Sequence, residues 1–132
     1  MVFVYVFIGP PGIGKTSSAV LACRSLGIEP IEMNASDTRN RAALQDHVQS
    51  LITSRTINQG KIAKTCLIMD EVDGMSAGDR GGAAELAQLI KKTRIPIICI
   101  CNEAQSQKVR SLRNICYDLP FRRYFAIFSW TN

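Results

Sequence analysis

A glycine-rich octapeptide near the start of the chain constrains the fold more than any other feature. Residues 9–16 read Gly-Pro-Pro-Gly-Ile-Gly-Lys-Thr and match the pattern G-x-x-x-x-G-K-[S/T] at every fixed position. The apolar residues 2–8 before it predict a buried strand, and residues 17–26 after it predict a helix. This order is typical of a loop whose backbone N–H groups and following helix N-terminus bind phosphate. The alternative is a glycine-rich turn that binds nothing.

The residues of this segment, which we call the phosphate loop (residues 9–16), have expected tasks. We predict that the loop and the residue after it contact phosphate through Gly9, Pro10, Pro11, Gly12, Ile13, Gly14, Lys15, Thr16 and Ser17. Lys15 would reach the β- and γ-phosphates of a nucleotide, and the Thr16 hydroxyl would hold Mg²⁺.

Apolar runs alternate with helical patterns along the rest of the chain. The predicted strands cover residues 2–8, 28–33, 65–69, 95–101 and 115–119. Three predicted helices cover residues 16–26, 83–92 and 105–113. A fourth, between the second and third strands, has an apolar stripe of Leu44, Val48, Leu51 and Ile52 and ends at Asn58-Gln59-Gly60. We therefore predict one α/β domain with a parallel sheet and helices on both of its faces.

Polar side chains follow two of these strands. Asp70 and Glu71 come directly after four apolar residues, and Asn102 directly follows the run that ends at Cys101. Asp70 would act on Mg²⁺ through the water shell of the metal, and Glu71 would be the general base for an attacking water. The Asn102 amide would hold the γ-phosphate or that water. The alternatives are acids that cap an exposed strand end and an asparagine that starts an ordinary loop.

Composition narrows the class of protein further. The 132 residues suffice for one globular domain, and no apolar run is long enough to span a bilayer, so we expect no membrane partner. The five cysteines form no C-x-x-C pair, which favours reduced, buried thiols. Residues 91–132 carry eight basic and two acidic side chains. This basic end favours a nucleic acid or an acidic protein as partner, with a solvated basic face as the alternative.

The combination of these motifs resembles a known family. The phosphate loop, the Asp70–Glu71 pair and Asn102 are similar to the Walker A, Walker B and sensor 1 positions of AAA+ ATPases. Within that family the chain resembles sliding-clamp loaders, most closely their eukaryotic large subunits. The matching segments are residues 34–39, 69–75, 79–82 and 95–102. The resemblance covers residues 8–123.

The resemblance implies a fold and a set of ligands. The expected fold is the three-layer α/β/α P-loop NTPase core of AAA+ type over residues 1–123, with a five-stranded parallel sheet. A divergent tail, residues 124–132, would follow, and the helical lid domain of the family would be absent. The implied cofactors are ATP and Mg²⁺, with Glu71 and Asn102 catalytic and with Thr16 and Asp70 on the metal. The implied partners are small clamp-loader subunits in a hetero-pentamer, the sliding clamp and primer–template DNA, in the nucleus.

Further expectations concern DNA and the neighbouring subunits. Arg80, Lys108 and Arg110 are the candidate contacts to DNA phosphates. Ile115 stands where small clamp-loader subunits carry an arginine that reaches the ATP of a neighbour. The chain is therefore expected to receive such an arginine rather than to donate one, and to be nearly inactive as an ATPase alone. The alternatives are a catalytically incompetent fragment that serves only as a nucleotide-binding or interaction module, and a related loader in DNA repair or checkpoint signalling.

Overall fold

Parallel strands and helices alternate through most of the chain. The computed structural model describes residues 4–36, 46, 57–58, 61–62, 64–75, 82–93 and 95–123. The elements are β1 (Val4–Ile8), α1 (Lys15–Ser25), β2 (Glu29–Asn34), β3 (Ile57–Asn58), β4 (Lys61–Ile62), β5 (Thr65–Asp70), α2 (Gly82–Lys92), β6 (Ile97–Cys101), α3 (Gln107–Arg113) and β7 (Tyr117–Pro120). A 3-10 turn, Val72–Gly74, follows β5. Within the described residues, no helix has both the length and the apolar character needed to cross a membrane.

The five main strands form one parallel sheet in the order β2-β5-β6-β1-β7. The chain leaves β1 for the edge strand β2 and returns through β5 and β6. It then passes β1 to reach β7 at the opposite edge. The carboxyl ends of β5, β6 and β1 therefore lie side by side, which is where ligands bind in open α/β sheets.

Two cores cover the two faces of the sheet, because successive side chains of a strand point to opposite faces. On one face, strand residues pack under α2 and α3; the buried members include Val6, Met69, Cys99, Leu86 and Leu112. On the other face, strand residues pack against α1; the buried members include Phe7, Ile68, Ile100, Ala19 and Cys23. The structure thus confirms the predicted sandwich of helices around a parallel sheet.

The element boundaries depart from the sequence predictions in small ways. Strand β7 begins two residues later than predicted, because the N–H groups of Ile115 and Cys116 donate to the last carbonyls of α3, those of Leu112 and Arg113. Strand β5 extends one residue further and includes Asp70.

The short antiparallel hairpin of β3 and β4, in which Ile57 pairs with Ile62, was not predicted. The predicted stripe of Leu44, Val48, Leu51 and Ile52 lies outside the described residues, as does the tail 124–132.

The cysteines are free thiols, as predicted, and four of the five are buried. Burial raises the pKa of Cys66 to about 12 and the pKa of Cys101 and of Cys116 to about 11. These three thiols are therefore neutral near pH 7, and neutral thiols are poor nucleophiles and poor metal ligands.

Candidate functional site

The phosphate loop turns into α1 through glycines in a left-handed conformation. Gly12 has a φ of 74° and Gly14, the N-cap of α1, has a φ of 85°. Residues with a Cβ rarely adopt this conformation, so the fixed glycine before Lys15 has a direct steric reason. Because Gly14 has no side chain that could cap the helix, the first N–H groups of α1 are open to an anion.

Lys15 lies beneath the phosphate loop and uses all three of its donors. Its Nζ donates to the carbonyl oxygens of Gly9 at 2.7 Å and Pro10 at 2.8 Å. The third bond goes to Oδ1 of Asn102 at 2.9 Å. The side chain is buried, with 6% of its surface exposed. The structure therefore brings together two residues that lie 87 positions apart in the sequence and that were both predicted to belong to the site.

Thr16 and Asp70 form the second contact across this edge of the sheet. The Thr16 hydroxyl donates to Oδ2 of Asp70 at 2.6 Å, and Oδ1 of Asp70 accepts the N–H of Glu71 at 2.8 Å. The part of the chain that the structure describes has no cluster of three or more His, Cys, Asp or Glu that could hold a metal alone. A hydroxyl next to a carboxylate fits Mg²⁺, which binds few protein oxygens and keeps several waters and phosphate oxygens.

Glu71 has an unusual backbone, and its carboxylate contacts residues at and after the end of β2. Among the described residues it is the one non-glycine with a positive φ, at 53°. Such a conformation costs about 1–3 kcal/mol and is found most often at functional sites. Its Oε2 accepts from Nδ2 of Asn34 at 3.0 Å and from the Ser36 hydroxyl at 3.2 Å. The expected general base is therefore hydrogen-bonded to residues at and after the end of β2.

Asn34 and Ser36 contact the candidate site although neither was predicted to belong to it. Asn34 is the last residue of β2 and lies opposite Asp70 in the register of β2 and β5. Its Oδ1 accepts both the N–H and the hydroxyl of Ser36, at 2.8 and 2.6 Å. The available signal was the position of Asn34, a polar residue directly after the predicted strand 28–33.

Asp73 is a second residue that sequence reasoning missed. Its Oδ2 accepts the backbone N–H of Asn102 at 3.0 Å and that of Glu103 at 3.1 Å. The carboxylate therefore joins the 3-10 turn after β5 to the loop after β6.

The segment after β7, residues 121–123, contacts both the phosphate loop and strand β1. The Phe121 N–H donates to the Ile8 carbonyl at 2.7 Å, and its ring lies 5.0 Å from that of Phe7, measured between centroids. Arg123 donates from Nη2 to the Pro11 carbonyl at 3.3 Å. These contacts were also missed, because no local pattern links residue 121 to residue 9.

Of the three predicted DNA contacts, the structure describes the side chain of Arg110 alone. Arg80 and the side chain of Lys108 lie outside the described residues. Arg110 is exposed on α3 and lines an open polar pocket with Arg113, Asn114 and Asp118. In that pocket Nε of Arg113 donates to Asp118 at 2.6 Å. The role of Arg110 stays a prediction.

Comparison with known families agrees with this geometry. Residues 5–118 match the family described as "ATPase family associated with various cellular activities (AAA)". The chain belongs to the AAA family of ATPases. Its expected fold class is thereby confirmed, and membership implies nucleotide binding.

Individual relatives within the AAA family narrow the comparison. The chain is 50% identical over 123 residues to Replication factor C subunit 1 of Drosophila melanogaster and 47% identical over 124 residues to that of Homo sapiens. It is 39% identical over 117 residues to the Replication factor C large subunit of Nanoarchaeum equitans. Each match covers 87% of the chain. The chain spans 12%, 11% and 26% of the length of these three relatives, respectively.

Proposed function

We propose that the chain is the ATP- and Mg²⁺-binding core of the large subunit of a sliding-clamp loader of the replication factor C type. The observation that carries the proposal is the pair of contacts from the phosphate loop, Thr16 to Asp70 and Lys15 to Asn102. They bring the ends of β5 and β6 to the start of α1, as hydrolysis of a nucleotide requires. The 42–50% identity to Replication factor C subunit 1 of six eukaryotes supports the choice within the AAA family.

The mechanism is phosphoryl transfer to water by positioning and electrostatics. The N–H groups of the phosphate loop and the Lys15 ammonium hold the phosphates, and Lys15 exchanges carbonyl partners for phosphate oxygens. Thr16 and Asp70 would hold Mg²⁺, which when bound neutralises charge on the β- and γ-phosphates. Glu71 accepts a proton from the attacking water, and Asn102 contacts the γ-phosphate.

The orientation of Glu71 supports low ATPase activity of the chain alone. Its Oε2 is hydrogen-bonded to Asn34 and Ser36. Release of these two bonds would free that oxygen to act as a base. An arginine from a neighbouring subunit would complete the charge stabilisation, and such a residue contributes about 10³–10⁵ in rate in related NTPases.

The proposed partners are the small clamp-loader subunits, the sliding clamp and primer–template DNA, with the nucleus as location. The eukaryotic relatives are more similar to the chain than the archaeal ones, at 38–39% identity, which favours the nuclear setting. The basic side chains of residues 91–132 support contact with DNA. Arg80, Lys108 and Arg110 are the proposed phosphate contacts.

Binding of a fluorescent ATP analogue with Mg²⁺ tests the proposal. We expect Lys15→Ala to weaken binding by about 100-fold or more, because charge-assisted hydrogen bonds contribute about 1.5–3 kcal/mol each. Lys91→Ala is the matched control, since Lys91 is an exposed lysine in the last turn of α2. Circular dichroism checks that each variant folds. A folded wild-type chain that binds no nucleotide would contradict the proposal and favour a role as an interaction module.

A further inference from the structure

Asp73, which has no role in the proposed mechanism, connects the 3-10 turn after β5 to the loop after β6. A single carboxylate oxygen, Oδ2, accepts the N–H groups of two consecutive residues, Asn102 and Glu103, at 3.0 and 3.1 Å. These residues directly follow β6. Bonds from N–H groups to an ionised carboxylate are charge-assisted and about twice as strong as neutral ones. Asp73 therefore fixes the backbone at the point from which the Asn102 side chain extends toward Lys15.

The turn that carries Asp73 is itself held in place. Val72 is fully buried, and the Gly74 N–H donates to the Glu71 carbonyl at 2.9 Å. The positive φ of Glu71 redirects the chain at the end of β5. As a result, the carboxylates of Glu71 and Asp73 serve different partners: the first accepts from Asn34 and Ser36, the second from the backbone after β6.

The connection has the character of a positioning contact rather than a core contact. Asp73 is half-buried, Asn102 and Glu103 are exposed, and all three border an open cavity that Ser106 also lines. Water can therefore replace the carboxylate at the two N–H groups if Asp73 is removed, so the loss of stability should be modest. What water cannot supply is a fixed position for the Asn102 backbone.

We propose that Asp73 is a positioning residue that holds Asn102 where its side chain can recognise the γ-phosphate. This inference rests on the proposed function of the site. The α- and β-phosphates are held by the phosphate loop and Lys15, so ADP binding should not depend on Asp73. Asn102 contributes part of the extra affinity for a triphosphate, and that part should depend on Asp73.

The test compares affinities for ATPγS and ADP, both with Mg²⁺, in the full 132-residue chain. We expect Asp73→Ala to weaken ATPγS binding by about tenfold, the scale of one lost charge-assisted hydrogen bond, and to leave ADP binding within about twofold. Asp73→Asn keeps an oxygen at the same position and should retain most of the preference for ATPγS. Asp118→Ala is the matched control, because it removes an acid from β7, an edge strand that β6 and β1 separate from β5.

Amide hydrogen exchange at residues 102 and 103 provides a readout that does not require nucleotide. Exchange should be faster in Asp73→Ala than in the wild type and unchanged in Asp118→Ala. If Asp73→Ala does not fold, Asp73→Ser replaces it, since its side chain is too short to reach both N–H groups.

Several results would overturn the proposal. An equal loss of ATPγS and ADP affinity in Asp73→Ala would show a general structural role, and an unchanged preference would show no role. An Asn variant that behaves like the Ala variant, or a wild type without preference for ATPγS, would also contradict it. If the wild type binds neither nucleotide, the proposed function itself fails. The connection is then judged by exchange alone, and equal exchange in wild type and Asp73→Ala overturns it.

Discussion

The two strands that flank β1 differ in how they are held. All five residues of β6 are buried, whereas all four residues of β7 are exposed, although both strands pair with β1 in parallel. Burial on both faces fixes β6. Strand β7 depends on its hydrogen bonds to β1, on the ring contact of Tyr5 with Tyr117 at 5.9 Å and on the ion pair of Arg113 with Asp118. Strand β1, which leads into the phosphate loop, therefore has a fully buried neighbour, β6, on one side and an exposed neighbour, β7, on the other.

The largest expected effect is on the β6 side. Ile100 is 1% exposed and belongs to the core between the sheet and α1. We expect Ile100→Ala to lower the free energy of unfolding by about 2–5 kcal/mol, through lost burial and the cavity left behind. Urea denaturation followed by circular dichroism measures this loss. A loss below about 1 kcal/mol would show that β6 is not the rigid side of the comparison.

A smaller loss is expected where the segment after β7 contacts the phosphate loop. A Cβ at Gly9 would lie 2.5 Å from the Phe121 carbonyl oxygen and 2.9 Å from Cδ1 of Ile13. Gly9→Ala should therefore lower the free energy of unfolding by about 1–3 kcal/mol, as overpacking does, and also weaken nucleotide binding.

Gly74→Ala provides the control for this substitution in the same urea experiment. Its added Cβ would meet Ser36 Cβ at an ordinary 3.6 Å. If the two variants lose equal stability, the close contact at Gly9 is not the cause. If Gly9→Ala loses none, the segment after β7 moves aside freely and the β7 side is weaker still.

Alkaline pH should lower the free energy of unfolding through the buried thiols. In the folded protein burial raises the pKa of Cys66 to about 12, whereas an unperturbed thiol has a value of 9.0. As the pH rises past about 9, the unfolded chain loses this proton first, so stability is constant below that pH and falls up to about pH 12. The expected loss at pH 10 is up to about 1.4 kcal/mol per buried thiol.

Urea denaturation at pH 7.5 and pH 10 measures this dependence, and Cys66→Ala identifies its source. The variant should lose less stability between the two pH values than the wild type does. A variant with the same pH dependence as the wild type would assign the effect to other groups.

The smallest effect is expected on β7 itself. Leu119 is 44% exposed, so Leu119→Ala should change the free energy of unfolding by no more than about 0.5 kcal/mol. The same urea experiment that tests Ile100→Ala provides the comparison. A loss above about 1.5 kcal/mol would mean that β7 is supported as firmly as β6, and the contrast between the two flanks would disappear.

The parts of the site that the sequence predicts are those encoded locally. The glycines of the phosphate loop, the apolar run before Asp70 and the run before Asn102 are each visible within a few residues. The sheet then brings them together, because parallel strands end at one edge. Asn34 and Asp73 were missed for the opposite reason. Asn34 depends on the register between β2 and β5, and Asp73 on two N–H groups that lie 29 and 30 residues away.

The limits of sequence reasoning in the fold have similar physical causes. The hairpin of β3 and β4 has two residues in each strand, too few for a periodic pattern. The start of β7 depends on the end of α3, whose carbonyls accept the N–H groups of Ile115 and Cys116. The contact of Phe121 with Phe7 depends on the strand order. The hairpin and the start of β7 depend on near neighbours but show no periodic pattern, whereas the contact of Phe121 with Phe7 joins residues far apart in the sequence.

Under the proposed function, the three bonds of Lys15 make nucleotide binding an exchange of partners. A buried ammonium without partners would be costly, and the Gly9 and Pro10 carbonyls and Asn102 offset that cost. Because these oxygens belong to the chain itself, they always compete with nucleotide phosphates for the Lys15 ammonium. The measured affinity is therefore the difference between two sets of bonds to the same cation. When the nucleotide dissociates, the same three oxygens bind the Lys15 ammonium again, so release does not leave a buried cation without hydrogen-bond partners.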